Sequence, residues 1–268
     1  MRFIKSIFFF LFVLSSCQKR ENYADIQVIG HAGMGLEMSN SIFHDNSLEA
    51  IELALKMPGS NGVEIDVQQD LDGELWLFHD ETLDVATNST GCISSKTSEE
   101  LENINYLSFH KEKLLKLSEL NLDTYDKQKI FLDLRFWKAC SESYVNPQIL
   151  KTALLNLNIQ DFENVYLLIP SESFLTIFEN EFNVLYSNDN YTHCLSVLSQ
   201  DTLIQGLVIR NNNVNFDQVK TIQSSHRNVF IFEMRSPKGI KLALSKRPDG
   251  IITDDLRATI IQRRTTKR

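Results

Sequence analysis

The chain has 268 residues, a formal net charge of -8 and 43% hydrophobic content. That is enough for one large domain or two small ones, and the mixed composition excludes a disordered chain. The acidic balance gives no reason to expect nucleic acid as a partner, and the residues 261–268, with their basic end Arg263-Arg264-Thr265-Thr266-Lys267-Arg268, read as a frayed tail.

At the start, Arg2 and Lys5 are basic, and Ile7 to Leu14 is an apolar run too short to span a bilayer. It ends in Leu14-Ser15-Ser16-Cys17, which resembles a bacterial lipoprotein signal, with small residues ahead of a cysteine that is cleaved before and acylated. An ordinary secretory peptide with a chance cysteine is the alternative. The resemblance implies that residues 1–17 are a signal, that Cys17 is the lipidation site and that 18–25 form a short polar leash. The mature protein would then be extracytoplasmic, tethered by lipid in the bacterial cell envelope, either periplasmic or at the cell surface. No other stretch is long and apolar enough to be a membrane helix.

From Ile26 the pattern alternates strand and helix. A first strand over Gln27–His31 runs into Gly30-His31-Ala32-Gly33. Ser47 to Lys56 has helical spacing in Leu48, Ile51 and Leu55, with Asn46 and Glu49 placed as a capping box. In Gly62–Val67 the β-branched Val63, Ile65 and Val67 alternate with Glu64 and Asp66, so both carboxylates look to one face of a strand. Paired carboxylates in an apolar setting repel unless a cation or strong donors compensate, and a hard metal ion held by oxygen ligands is the natural resolution. The turn signal Asp72-Gly73 then brings a strand over Glu74–His79 back alongside, and His79 with it.

Further strands are expected at Lys129–Arg135, Asn164–Ile169, Asn183–Tyr186, Gly206–Ile209, Val229–Glu233 and Gly250–Thr253. Helical stretches lie at Pro147 to Leu157, Ser173 to Glu181, Phe216 to Ser224 and Pro237 to Lys246. Strand–helix alternation argues for parallel β/α units. The strands are one more than a closed barrel of eight takes. The few residues between Val67 and Leu75 cannot supply a parallel crossover, which needs roughly a dozen. Glu74–His79 is therefore an antiparallel arm, and the expected fold is α/β, a TIM (β/α)8 barrel over residues 26–260 with a β-hairpin excursion after the second strand. Besides Cys17 there are Cys92, Cys140 and Cys194, which allow at most one bridge. Their spacing gives no zinc site, and no bridge between Cys92 and Cys140 is expected.

Such barrels place their chemistry at the C-terminal ends of the strands. This chain puts His31, Glu64 with Asp66, His79-Asp80, Asp133 with Arg135, Arg210, Glu233 with Arg235, and Asp254 there. Most other histidines, His110, His193 and His226, read as surface or packing residues, and His44 as a loop residue. Asp80 suits orienting a neighbour, Trp76 suits packing, and Asp254 suits structural hydrogen bonding.

His31-Ala32-Gly33, Asp45-Asn46-Ser47-Leu48-Glu49-Ala50, Gly62-Val63-Glu64-Ile65-Asp66-Val67, Asp72-Gly73-Glu74, Phe78-His79-Asp80-Glu81-Thr82-Leu83-Asp84 and Pro248-Asp249-Gly250-Ile251-Ile252-Thr253-Asp254 resemble, in order, the motifs of the glycerophosphodiester phosphodiesterases. That family is a TIM barrel related to the phosphatidylinositol-specific phospholipases C. The resemblance runs from about Ile26 to Leu256 and is weak between Lys138 and Asn228. It implies catalytic histidines at His31 and His79 and metal ligands at Glu64, Asp66, Asp133 and Asp45. Ala32 stands where the family has an arginine that contacts phosphate. Arg135 is the first candidate to replace that charge, followed by Arg210 and Arg235, with Asn46 and Glu233 also assigned to substrate binding.

The expected activity is hydrolysis of glycerophosphodiesters to glycerol 3-phosphate and an alcohol. Calcium or magnesium fits an all-oxygen ligand set, and two imidazoles supply a general base, His31, and a general acid, His79. The attacker is water or the substrate's own hydroxyl. The partner is a small glycerophosphodiester or lysophospholipid, with the membrane reached through the lipid anchor and no protein partner expected. Two alternatives stand beside this reading: a sphingomyelinase-D-like lipase on the same fold, and a surface lipoprotein that binds a phosphate ester without cleaving it. Ala32 and the short Asp45 favour the second, and the retained histidine pair argues against it.

Overall fold

Short aliphatic runs bounded by turns build the sheet, in a computed structural model that describes residues 23–264 except 37, 39, 40 and 142. In chain order the elements are β1 (Gln27–Gly30), α1 (Leu48–Lys56), β2 (Gly62–Gln69), β3 (Leu75–Leu77), α2 (Ser98–Leu101), β4 (Leu115–Lys116), β5 (Lys129–Leu134), β6 (Trp137–Lys138), β7 (Ser143–Tyr144), α3 (Pro147–Asn156), β8 (Val165–Ile169), α4 (Glu172–Phe178), β9 (Asn183–Ser187), α5 (Tyr191–Gln200), β10 (Gly206–Arg210), α6 (Phe216–Gln223), β11 (Asn228–Phe232), α7 (Pro237–Ser245), β12 (Gly250–Thr253) and α8 (Leu256–Arg264). The expected signal and Cys17 lie outside the described residues, among which no helix is long and apolar enough to cross a membrane.

Strands β1, β2, β5, β8, β9, β10, β11 and β12 pair in parallel around a closed ring, sealed where β1 pairs with both β12 and β2. This is the TIM barrel expected from the sequence. Alternation decides what each side chain meets. On β2 and β5, Val63, Ile65, Val67, Ile130, Leu132 and Leu134 point outward into the core shared with the helices. Ile29, Phe131, Leu168, Leu185, Val208, Phe230 and Ile252 fill the lumen. Because the strand period is two, the residue two or four further along from a luminal one reaches the rim. His31 follows Ile29 in this way, Asp133 and Arg135 follow Phe131, Arg210 follows Val208 and Asp254 follows Ile252.

The excursion is antiparallel to β2, as expected, with Val67 opposite Leu77 and Gln69 opposite Leu75. It is larger than a hairpin. A three-residue arm has too little surface to hold itself, and β4 pairs on the outside of β3 to complete a three-stranded extension. Trp76, Phe78, Leu83, Ile93, Leu101, Ile104, Tyr106 and Leu114 give this extension a core of its own. Trp76 is a packing residue, its Nε1 donating to Asp70 at 2.8 Å.

Four sequence expectations are corrected. Cys92 and Cys140 are bridged, with Cα atoms 5.8 Å apart, which ties the excursion to the turn between β6 and β7. The spacing could not show this, because the two meet only through the pairing of β2 with β5, after which each segment departs. The cap of α1 is Ser47, whose side chain accepts from the Ala50 N–H, so Asn46 is released for another use. The helix α5 went unread. Finally, the expected tail is in part α8, whose Arg263 donates to the carbonyls of Ile26 at 2.9 Å and Gly59 at 2.8 Å and to Asn61 Oδ1 at 2.7 Å.

Candidate active site

The parallel register sets Asp66 of β2 directly beside Asp133 of β5. Glu64, one luminal step deeper, completes a group whose ligand oxygens all lie within 4.8 Å of one another. Glu64 and Asp66 are buried, and such a group carries more negative charge than its setting can solvate. Three kinds of donor compensate. The Ala32 N–H reaches Glu64 Oε2 at 3.1 Å, offered by a turn in which Ala32 itself takes a left-handed φ of 47°. Asn46 closes on Asp66 with both amide atoms, its Nδ2 donating to Oδ2 at 2.8 Å and its Oδ1 accepting the Asp66 N–H at 3.0 Å. Arg135 donates Nε to Asp66 Oδ1 at 3.0 Å and holds Asp133 Oδ2 at 3.4 Å.

The remaining imbalance is felt as proton affinity. Burial first, then the Asp66 charge, pushes Glu64 up to about 8. Burial also raises Asp133, whereas on Asp66 burial is the largest single influence but is outweighed by the Arg135 guanidinium, the two imidazoles and the Asn46 hydrogen bond together, which hold the carboxyl below its usual range. For His31, burial would lower the value, but Glu64 and Asp254 override it and bring the imidazole to about 9.

The two histidines flank this group. His31 Nδ1 pairs with Asp254 Oδ1 at 2.7 Å, leaving Nε2 to face Glu64 Oε2 at 3.6 Å. His79 Nδ1 pairs with Asp80 Oδ1 at 2.8 Å, so Asp80 orients its neighbour as expected. The His79 loop is pinned by Gln68, whose Nε2 donates to the carbonyls of Phe78 and Asp80, each at 2.8 Å. Against burial, the Asp80 bond and the Asp66 charge raise the His79 value. Each imidazole therefore has its Nδ1 fixed by a carboxylate, and the Nε2 of His31 faces Glu64.

Other expected site residues stand elsewhere. Asp45 is outside the three-carboxylate group, its Oδ1 lying 3.1 Å from His44 Nδ1. Asn46 is fully buried on Asp66, which makes it a positioning residue rather than a substrate contact. Arg210 is held by Asp189 at 2.9 Å and by Glu233, so Glu233 pairs with Arg210 and not with Arg235. Arg235 lies at the mouth with its Nε 3.7 Å from Asp254 Oδ2. Asp254 is more than structural: it is buried and fixes the tautomer of His31. Its place two residues beyond the luminal Ile252 was the available signal.

Glu64, Asp66 and Asp133 form an all-oxygen donor set with residual negative charge, which fits a hard divalent ion. Together with the histidines they suit hydrolysis of an anionic ester.

Comparison with known proteins points the same way. Residues 31–147 match the model of the glycerophosphoryl diester phosphodiesterase family. A glycerophosphodiester phosphodiesterase of Caldanaerobacter subterraneus is 38% identical over 60 residues, a stretch that spans only 22% of this chain and 24% of that one. YhdW of Bacillus subtilis (strain 168), whose name assigns it the same activity provisionally, is 24% identical over 250 residues, 85% of this chain and 93% of its own. Among solved structures, the Thermotoga maritima glycerophosphodiester phosphodiesterase superposes with a TM-score of 0.71 at 18% identity, covering 88% of this chain and 98% of that one. A phosphodiesterase of Oleispira antarctica, solved with the product sn-glycerol-3-phosphate, gives 0.70 at 22%, covering 88% and 96%. At these identities the structural likeness speaks for the fold.

Proposed function

We propose that the chain, whose residues 31–147 match the glycerophosphoryl diester phosphodiesterase family model, is a metal-dependent hydrolase of that family that cleaves glycerophosphodiesters to glycerol 3-phosphate and an alcohol. The observation that carries this is the meeting of three carboxylates with two oriented imidazoles at one mouth of the barrel. Glu64, Asp66 and Asp133 would hold the ion, calcium or magnesium, which when bound offsets the charge of the phosphodiester. The chain's own groups do the proton work. His31 has Nδ1 committed to Asp254, so its Nε2 is the atom that would take the proton of the attacking hydroxyl. That role needs the neutral imidazole, and so needs the bound ion to offset the carboxylate charge that holds His31 at about 9. His79, the more exposed of the two with its side chain 26% accessible against 14%, protonates the leaving alkoxide on the solvent side. Arg135 is spent on Asp66 and Asp133, so it acts by holding the carboxylates in place, and the phosphate draws on Arg235 at the mouth. The lipid anchor at Cys17 and the extracytoplasmic location belong to the same proposal and are tested by loss of lipid labelling in Cys17→Ser.

Protein lacking residues 1–17, incubated with glycerophosphocholine or glycerophosphoethanolamine, should release the alcohol with Mg²⁺ or Ca²⁺ and stop with chelator. His31→Ala and His79→Ala should each lower kcat by about 100-fold or more. A binding protein without turnover is the reading that Ala32 favours, since it brings no side-chain cation to the phosphate. Bound metal with no alcohol released from any diester would select it.

A further inference from the structure

The mouth is larger than glycerol phosphate requires. It encloses about 1960 Å³, roughly twice the upper end of an ordinary small-molecule site at about 1,000 Å³. Part of its wall is aromatic and exposed. Directly after Arg135 the chain forms the β6–β7 hairpin, on which Trp137 and Tyr144 stand edge to face with ring centroids 5.1 Å apart. Both line the mouth, and they are 43% and 65% exposed. Large rings left in water beside a reaction centre call for a ligand more than for a packing role.

The hairpin is held in place from two sides. Cys140 in its turn is bonded to Cys92 of the excursion. Phe136, next to Trp137, packs on Phe174 of α4 with centroids 4.6 Å apart. Glu172, at the start of that same helix, lines the mouth and puts its carboxylate 3.2 Å from His193 Nε2. The outer rim carries Glu81, Glu172, Asp189 and Glu233 against Arg210 and Arg235, a surplus of acid around a site that must admit an anionic ester. Aromatic faces with surplus carboxylate form an environment for a positive charge.

We propose that the β6–β7 hairpin is the leaving-group subsite and that it selects phosphodiesters whose alcohol carries a quaternary ammonium group, the cation lying on the Trp137 ring. This rests on the hydrolase reading above and adds to it the class of alcohol. The phosphate goes to the carboxylate-held ion and the histidines, and the cationic end extends outward past Arg135 to the hairpin. Pre-fixing of the hairpin by the bridge means that little ordering is needed when substrate arrives.

The test compares glycerophosphocholine with its carbon isostere, the 3,3-dimethylbutyl ester of glycerol phosphate, which has the same shape and no positive charge. With metal-loaded full chain, the choline ester should be preferred by about tenfold in kcat/KM, mainly through KM. Trp137→Leu and Tyr144→Leu should each bring that ratio toward one, and Trp137→Phe should retain most of it. A ratio near one in the native protein, or a ratio that Trp137→Leu leaves intact, overturns the proposal, as does a preference for the isostere, which would mark an apolar acyl-type pocket. Calorimetric binding of the two esters gives the same comparison without turnover. Tighter binding of the choline ester that Trp137→Leu abolishes supports the subsite even if neither ester is cleaved, a result that would sink the hydrolase reading alone. Equal binding sinks the subsite.

Discussion

Glu64 sits deepest in the acidic group and holds its proton up to about 8, because burial and the neighbouring Asp66 both oppose its charge. A divalent ion needs that proton gone. Affinity for Mg²⁺ or Ca²⁺ should therefore rise with pH from about 6, level off above about 8, and be accompanied by proton release, which calorimetry in buffers of different ionisation heat reads directly. A pH-independent affinity with no proton release would contradict it. The same shifts bear on the metal-free fold. Glu64 and His31 both have folded values above their unfolded ones, so their contribution is complete below about 4.5 and 6.5 and declines as pH rises through about 8 and 9. Metal-free protein should accordingly lose Tm between pH 5 and 9, and saturating metal should flatten that decline. At this scale the same-face pair Glu64 and Asp66 was legible from strand alternation alone, and His79 from the turn ahead of it. Asp254 and Asn46 were legible as residues but not as roles. Asp254 reaches His31 across 223 positions of chain, a contact that exists only because the ring closes. Asn46 looked like a cap because Ser47, the true cap, stands beside it.

The excursion is the element that brings His79 to the barrel mouth, and its stability has two sources. One is its own core around Trp76, Phe78 and Tyr106. The other is the Cys92–Cys140 bridge, which closes a span of 48 residues. Replacing both cysteines by serine should cost about 2–4 kcal/mol in urea unfolding under oxidising conditions. A loss within about 0.5 kcal/mol, the range of ordinary surface substitutions, would mean that the packed core alone holds this region. The existence of the excursion could be deduced from the shortness of the Val67–Leu75 connection. Its extent could not, since β4 and the β6–β7 hairpin are two-residue strands with no periodicity to detect. The bridge was equally hidden, because neither cysteine lies in a patterned element.

For the whole molecule, the governing feature is the seam at β1, which pairs with β12 on one side and β2 on the other. Strand–helix alternation made the barrel readable without its contacts, and the seam explains why the first and last described residues meet. Arg263 of α8 bonds to Ile26, and Tyr23 is packed into the core just ahead of β1. That junction lies at the N-terminal ends of the strands, the floor of the barrel, whereas His31 and the acids lie at the opposite end. Five residues, 18–22, separate Cys17 from the described chain, and fully stretched they reach about 18 Å. An acyl group on Cys17 would therefore stand the protein upright on its own leaflet, catalytic opening facing the aqueous compartment. On the proposed anchor, such a protein would gather dissolved diesters arriving from outside and leave the lipids beneath its feet uncut. Reconstituted on vesicles, it should hydrolyse a water-soluble diester as fast as the unanchored protein does, and hydrolysis of diesters embedded in the same vesicle at a comparable rate would refute that orientation.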